Sequence, residues 1–271
     1  MRWPGSKVVM QRTANPPSAV RFCLRPPFYI RIQMSIDSKS PIIVALDDTD
    51  ISKLLNLAEE LAPYMHSFKL GLEFFSKYGP EGVLKFTQRN IPIFLDLKLH
   101  DIPNTVAKTV EQLCELNVDM LTIHLSGGLD MLQAACVARD KVNKNTKLLG
   151  VSVLTSLDDS DMRMLGCQLS SRGQVVNLFN LANKSGIDAV VCSAQEVSLL
   201  KSQNKNNLKF ITPGIRLQHE INANEISDQK RVVTPSQAIK NGSDYLVIGR
   251  SITNNPDPVA ICKSILASLA L

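Results

Sequence analysis

The stretch Asp96-Leu97-Lys98-Leu99-His100-Asp101-Ile102-Pro103-Asn104-Thr105-Val106 decides the reading of this 271-residue chain. It follows Ile91-Pro92-Ile93-Phe94-Leu95, an apolar run of the kind that forms a buried strand. Side chains alternate along a strand, so Asp96 and Lys98 are expected on one side. Two charges on the inner face of a buried strand are costly unless they are paired or used. Asp101 falls just past the strand, where the chain turns. Pro103 suits the first turn of a helix, which Val106, Val110 and Leu113 continue at helical spacing. A carboxylate, an amine and a second carboxylate therefore stand where a strand hands over to a helix. That end of the strand is where α/β folds bind ligands. Taken alone, D-x-K reads equally well as a structural ion pair.

The same unit of apolar strand, polar turn and amphipathic helix repeats from Pro41 onward. Strands are expected at 41–46, 66–70, 91–95 leading into Asp96, 120–124, 147–154, 189–192, 210–212 and 245–248. Helices are expected near 51–62, 73–88, from 103 to about 116, to about 142, 174–184, from 194, from 235, and 258–269. Residues 156–172 read as a long polar connection, and a loop of about 20 residues follows the seventh strand. Eight such units over about 230 residues predict an α/β fold, a (β/α)8 TIM barrel. A doubly wound open sheet is the competitor, but no G-x-G-x-x-G follows the first strand.

Residues 1–33 differ from this body. Five prolines break any periodicity, and Arg2, Lys7, Arg12, Arg21, Arg25 and Arg31 occur with no acid. These six cations exceed the whole formal charge of +5, so the remainder is close to neutral. We expect 1–40 to be a basic extension and 41–271 the catalytic domain. The extension reads as a transit peptide, an expression scar or a start called too far upstream. A near-neutral body with 5% aromatic residues gives no argument for nucleic acid as a partner, and the extension is the one place such binding would reside. No apolar run reaches membrane-spanning length. The six cysteines, at 23, 114, 136, 167, 192 and 262, form no C-x-x-C pair, which points to a reduced, cytoplasmic protein without disulfides.

The charged residues now fall at equivalent places. Asp47 ends the first strand, Lys69 the second, and Asp96, Lys98 and Asp101 the third. In a barrel these ends converge, and alternating signs let each charge satisfy a neighbour. Thr212-Pro213-Gly214-Ile215-Arg216 follows the seventh strand and Gly249-Arg250 the eighth. Barrels frequently hold phosphate with those two loops, using glycine backbone N–H groups and a forked arginine. The implied ligand carries a phosphate at one end and meets the Asp/Lys network at the other. A barrel that only binds a phosphorylated metabolite would not need five ordered charges. Among the histidines, His100 reads as a packing residue and His124 as a possible pocket wall, with His66 and His219 structural or on the surface.

The block DLKLHDIPNTV strongly resembles the signature of the orotidine 5'-phosphate decarboxylases, of the bacterial short-chain type. The resemblance spans roughly 41–270. Its other blocks, all in family order, are Val44–Asp47, Phe68–Gly71, Val153–Ser156, Thr212–Arg216, Asp228–Arg231 and Ile248–Arg250. It implies decarboxylation of orotidine 5'-monophosphate without metal or other cofactor. Asp47 then resembles the ribose ligand and Lys69 its charged neighbour. Asp96 resembles the carboxylate facing the departing CO2, and Lys98 the proton donor to C6, held by Asp96 and Asp101. Asp101 and Thr105 resemble residues lent to the other subunit of a homodimer. Thr155 resembles the contact to the base. Gln229 and Arg250 resemble phosphate ligands, with Arg216 beside them and backbone N–H groups near Gly249. Segments 156–172 and 216–234 are expected to act as lids. The spacing from Arg216 to Asp228 is slightly longer than in bacterial members. A magnesium-dependent sugar-phosphate decarboxylase or aldolase shares D-x-K-x-x-D. It would be expected to carry a carboxylate near position 69 and to lack Ile102-Pro103-Asn104-Thr105.

Overall fold

Parallel strands buried on both faces need near-continuous apolar sequence, and the run Ile42-Ile43-Val44-Ala45 is buried at all four positions. The computed structural model describes residues 40–222 and 232–269. Eight parallel strands pair in chain order: β1 Ile42–Ala45, β2 Ser67–Gly71, β3 Ile93–Leu99, β4 Met120–His124, β5 Lys147–Val151, β6 Ala189–Val191, β7 Lys209–Thr212 and β8 Tyr245–Ile248. β8 closes onto β1, with Ile42, Ile43 and Val44 opposite Leu246, Val247 and Ile248. The closed barrel is the expected fold, and the open sheet is excluded.

The helices are α1 Ile51–Leu61, α2 Leu72–Thr87, α3 Pro103–Cys114, α4 Leu129–Val142, α5 Asp159–Met164, α6 Ser171–Ser185, α7 Ala194–Lys201, α8 Gln218–Asn222, α9 Pro235–Asn241, α10 Arg250–Thr253 and α11 Pro258–Ser268. Three of these fall where a loop or no helix was expected. Within 156–172, Asp158 caps α5 by accepting from the Ser160 and Asp161 backbone N–H groups, while Asp161 reaches back to the Asp158 N–H. α8 and α10 are short turns of helix just past β7 and β8. The expected extension lies outside the described residues apart from Ser40.

Two cores result from strand alternation. Inside the barrel sit Ile43, Ala45, Phe94, Met120, Leu149, Ala189, Ile211 and Val247. Every strand except β2 contributes to this inner apolar set, and β2 instead carries Lys69, which lines the cavity at the strand ends. The opposite faces, such as Val44, Phe68, Leu70 and Leu95, pack beneath the helices.

At the N-terminal ends of the strands one device recurs. Asp119, Asp188 and Asp244 each stand immediately before an even-numbered strand. Each accepts a backbone N–H from the preceding odd strand: Ile93 at 2.8 Å, Leu148 at 2.9 Å and Phe210 at 2.9 Å. Two residues earlier the chain is left-handed each time, at Asn117, Gly186 and Gly242. Asp188 also meets the buried guanidinium of Arg139 at 2.6 Å, whose Nε meets Asp140 at 2.6 Å and whose Nη1 donates to the Thr146 carbonyl at 3.2 Å.

Candidate active site

Phe94, Asp96 and Lys98 share the inner face of β3, as alternation requires. The strand is not regular there. Leu95 pairs with Leu121 and Leu99 with Ile123, so four steps on β3 face two on β4. The bulge leaves Lys98 in the left-handed region, at φ 51°, which a non-glycine side chain adopts only against strain. Its freed backbone N–H donates to Oγ1 of Thr122 at 2.8 Å. The same hydroxyl donates to Asp96 Oδ1 at 3.0 Å. Thr122, fully buried on β4, thus ties the lysine's backbone to the carboxylate.

Lys98 Nζ stands 2.9 Å from both Asp96 oxygens. Lys69 Nζ lies between Asp96 and Asp47, at 3.8 and 3.6 Å. Burial pushes the Asp96 carboxyl upward, but the ammoniums of Lys69 and Lys98 and the hydrogen bonds from Lys98 and Thr122 outweigh it. The group is held below the usual carboxylate range. The result is a fixed run of alternating charge at the mouth of the barrel. Replacing Thr122 with valine, which keeps the shape and removes the hydroxyl, is expected to lower kcat about 10- to 100-fold with little change in KM. Thr122→Ser is expected to retain most of the rate, and steady-state kinetics of both variants checks this.

These groups line a cavity of about 570 Å³, within the range of small-molecule sites. Thr155 and Leu154 form its wall beyond β5. Arg216, Gly249 and Arg250 line the cavity from beyond β7 and β8, across the barrel from β3. Gly214 has φ 76°, a turn that a side chain would strain, and it carries the chain from Pro213 back toward Arg216. The loop is pinned across its neck, Val233 N–H to Gly214 at 3.1 Å and Arg216 N–H to Val233 at 3.0 Å. A Cβ added at Gly249 would sit 3.5 Å from Asp47 Oδ2, so the β8 and β1 ends adjoin.

Of the expected site residues, Asp47, Lys69, Asp96, Lys98, Thr155, Arg216, Gly249 and Arg250 are brought together around this cavity. Asp101 and Thr105 are not: both are exposed, and Asp101 accepts from the Ile102 N–H at 2.7 Å. Within one chain Lys98 is therefore held by Asp96, not by the expected pair of carboxylates. Gln229 lies outside the described residues. His124 is not a cavity wall but packs its ring against His100, 5.4 Å between centroids. Burial, with His100 and Lys98 beside it, lowers its pKa.

A family model described as orotidine 5'-phosphate decarboxylase / HUMPS family matches residues 40–265. The chain belongs to the orotidine 5'-phosphate decarboxylase family. A decarboxylase of this name from Wolbachia pipientis subsp. Culex pipiens (strain wPip) is 46% identical over 230 residues, covering 85% of this chain and 99% of that relative. One from Ehrlichia canis is 46% identical over 233 residues, covering 86% and 99%. The crystal structure of orotidine 5'-phosphate decarboxylase from Lactobacillus acidophilus superposes with a TM-score of 0.74 at 34% identity, over 86% of this chain and all of that one. Within the orotidine 5'-phosphate decarboxylase frame, Thr122 and the bulge at Lys98 are what the sequence reading did not anticipate. Thr122 looks like an ordinary β-branched strand residue, and only its place opposite Lys98 marks it.

Proposed function

We infer that this enzyme decarboxylates orotidine 5'-monophosphate to uridine 5'-monophosphate and CO2, the last step of de novo pyrimidine nucleotide synthesis, with Lys98 as the proton donor. The observation that carries the residue roles is the Lys98 ammonium clamped 2.9 Å from both Asp96 oxygens, inside a cavity that is also lined by two arginines from beyond β7 and β8.

When the bond from C6 to the carboxylate breaks, CO2 leaves and the electron pair stays on C6. A cation fixed beforehand stabilises that charge with little reorganisation. Lys98 then transfers a proton from Nζ to C6 and regains one from solvent. Asp96 faces the substrate carboxylate and holds Lys98 in place. Asp47 binds the ribose hydroxyls, Lys69 neutralises Asp47 and Asp96, and Thr155 meets the base. Arg216 and Arg250, with Gln229 and the backbone at Gly249, hold the phosphate. Binding energy from that remote group is available to the reacting end.

The magnesium-dependent alternative is disfavoured by Lys69. Its ammonium already stands between the two carboxylates that a divalent ion would need. No helix among the described residues is long and apolar enough to cross a membrane, and none of the five described cysteines is joined in a disulfide. Both fit a protein of the reducing cytoplasm. The substrate is the small molecule alone, with no nucleic acid. The exposed segment carrying Asp101, Ile102 and Thr105, with Ile102 67% exposed, suits a homodimer in which each copy lends these residues to the other's site.

An absorbance assay tests the reaction. Purified enzyme is expected to convert orotidine 5'-monophosphate to uridine 5'-monophosphate at the same rate with and without chelator. Loss of turnover on chelation would move the assignment to the metal-dependent relatives.

A further inference from the structure

The two arginine-bearing segments are joined by a carboxylate that no role above uses. Glu220 is the third residue of α8. Its Oε2 accepts from the Leu217 backbone N–H at 2.7 Å, the reach-back that a glutamate makes at this position of a helix. The same oxygen accepts from Oγ of Ser251 at 2.7 Å, across to the other segment. Leu217 directly follows Arg216, and Ser251 directly follows Arg250. One oxygen atom is therefore hydrogen-bonded to the residue after each arginine. Ser251 is buried, so its hydroxyl has little water to turn to.

We propose that Glu220 is a positioning residue for the phosphate end of the site, fixing the separation of Arg216 and Arg250 through Leu217 and Ser251. This rests on the reading that those arginines grip phosphate. Without the carboxylate, the segment after β7 remains pinned at Gly214, Arg216 and Val233, but that neck lies on one side of the cavity only. The two arginines would then be ordered relative to each other at the moment of binding, and binding would weaken by that ordering cost. The chemistry at Lys98 lies at the other end of the cavity, so the rate from the bound complex is untouched.

Steady-state kinetics of the full-length enzyme tests this. Glu220→Ala is expected to raise KM for orotidine 5'-monophosphate about tenfold, the size of one hydrogen bond to a charged group. Inhibition by inorganic phosphate and by uridine 5'-monophosphate should weaken by a similar factor, with kcat at saturation within about twofold. Ser251→Ala should reproduce this, and the double variant should be no worse than either single one, because both remove the same link. Glu220→Gln keeps an oxygen able to accept both bonds and should recover most of the affinity. A fall in kcat without a rise in KM, additive losses in the double variant, or a glutamine variant as weak as the alanine one would each overturn the proposal. Arg250→Ala is the control for the reading beneath it. If Arg250→Ala raises KM and Glu220→Ala does not, the positioning role fails alone. If neither raises KM, the phosphate assignment fails first.

Discussion

Replacing Lys98 with alanine is expected to lower kcat by roughly 10⁴-fold or more, while product affinity changes only a few-fold. Two contributions disappear together. In the proposed mechanism a fixed cation stabilises charge at C6, worth about 10²–10³ in comparable sites, and positioned proton transfer adds about 10²–10⁴. They act on one atom in sequence and are not independent, so the expected loss is set at the low end of their product, about 10⁴. The fold should survive the change. Asp96 keeps the Lys69 ammonium at 3.8 Å and the Thr122 hydroxyl at 3.0 Å, so no buried carboxylate is left unpartnered. The strain at φ 51° persists, because the bulge is fixed by the pairing of Leu95 and Leu99 with β4. Single-turnover decarboxylation and titration with uridine 5'-monophosphate separate the two effects. A variant that keeps a tenth of the wild-type kcat would remove Lys98 from its role.

Asp188→Ala carries the largest expected loss of stability. The Arg139 side chain is 8% exposed, and Asp188 supplies its charge partner at 2.6 Å. The same Asp188 oxygen receives the Leu148 N–H at 2.9 Å, and Lys147 lies 3.5 Å from the other oxygen. Removing one member of such a buried pair is more costly than the pair's net contribution, because the remaining charge is left with too few partners. A loss of about 3 kcal/mol is expected, with Asp140 and the Thr146 carbonyl still serving Arg139 in part. For a barrel of this size that is a fall in Tm of about 6–12 °C. The kcat of the folded fraction should be unchanged, since Asp188 lies before β6, at the end opposite the cavity. Thermal unfolding with parallel kinetics checks both halves, and an unchanged Tm would show that Arg139 is satisfied without Asp188.

The barrel and most of the cavity were legible because their signals are periodic or chemical. Apolar runs of four to eight residues placed the strands, with β4 and β8 matching the expected bounds. Charges at successive strand ends placed Asp47, Lys69, Asp96 and Lys98 in one cavity without any contact being known. What was not legible depends on pairing across space. Thr122 acts through two hydrogen bonds to residues 24 and 26 positions away. The bulge at Lys98 is a mismatch between two strands, and neither strand alone records it. α5 and α8 are five or six residues long, too short for an apolar stripe, and only their capping carboxylates Asp158 and Glu220 hint at them. Asp101, expected to serve the other subunit's site, is exposed in the single chain and accepts from the Ile102 N–H, so its part in the site depends on a partner and not on its own strand.

The aspartates at the floor of the barrel have a consequence for how the molecule comes apart. They join β3 to β4, β5 to β6 and β7 to β8, and no matching aspartate precedes β2, where His66 stands. Three βαβ modules are therefore fastened by a carboxylate, whereas β1 with β2 is joined only through the neutral Ser40 hydroxyl, which accepts from the Ile42 N–H at 3.4 Å and donates to the Tyr64 carbonyl at 2.7 Å. Opening fluctuations follow the weakest seam, so hydrogen exchange should run fastest along β1 and β2 and slowest within the fastened pairs. The module joined by the hydroxyl bears Asp47 and Lys69, whereas Asp96 and Lys98 belong to one fastened by Asp119. The strand ends that carry Asp47 and Lys69 are therefore expected to open more readily than the one that holds Asp96 and Lys98 together.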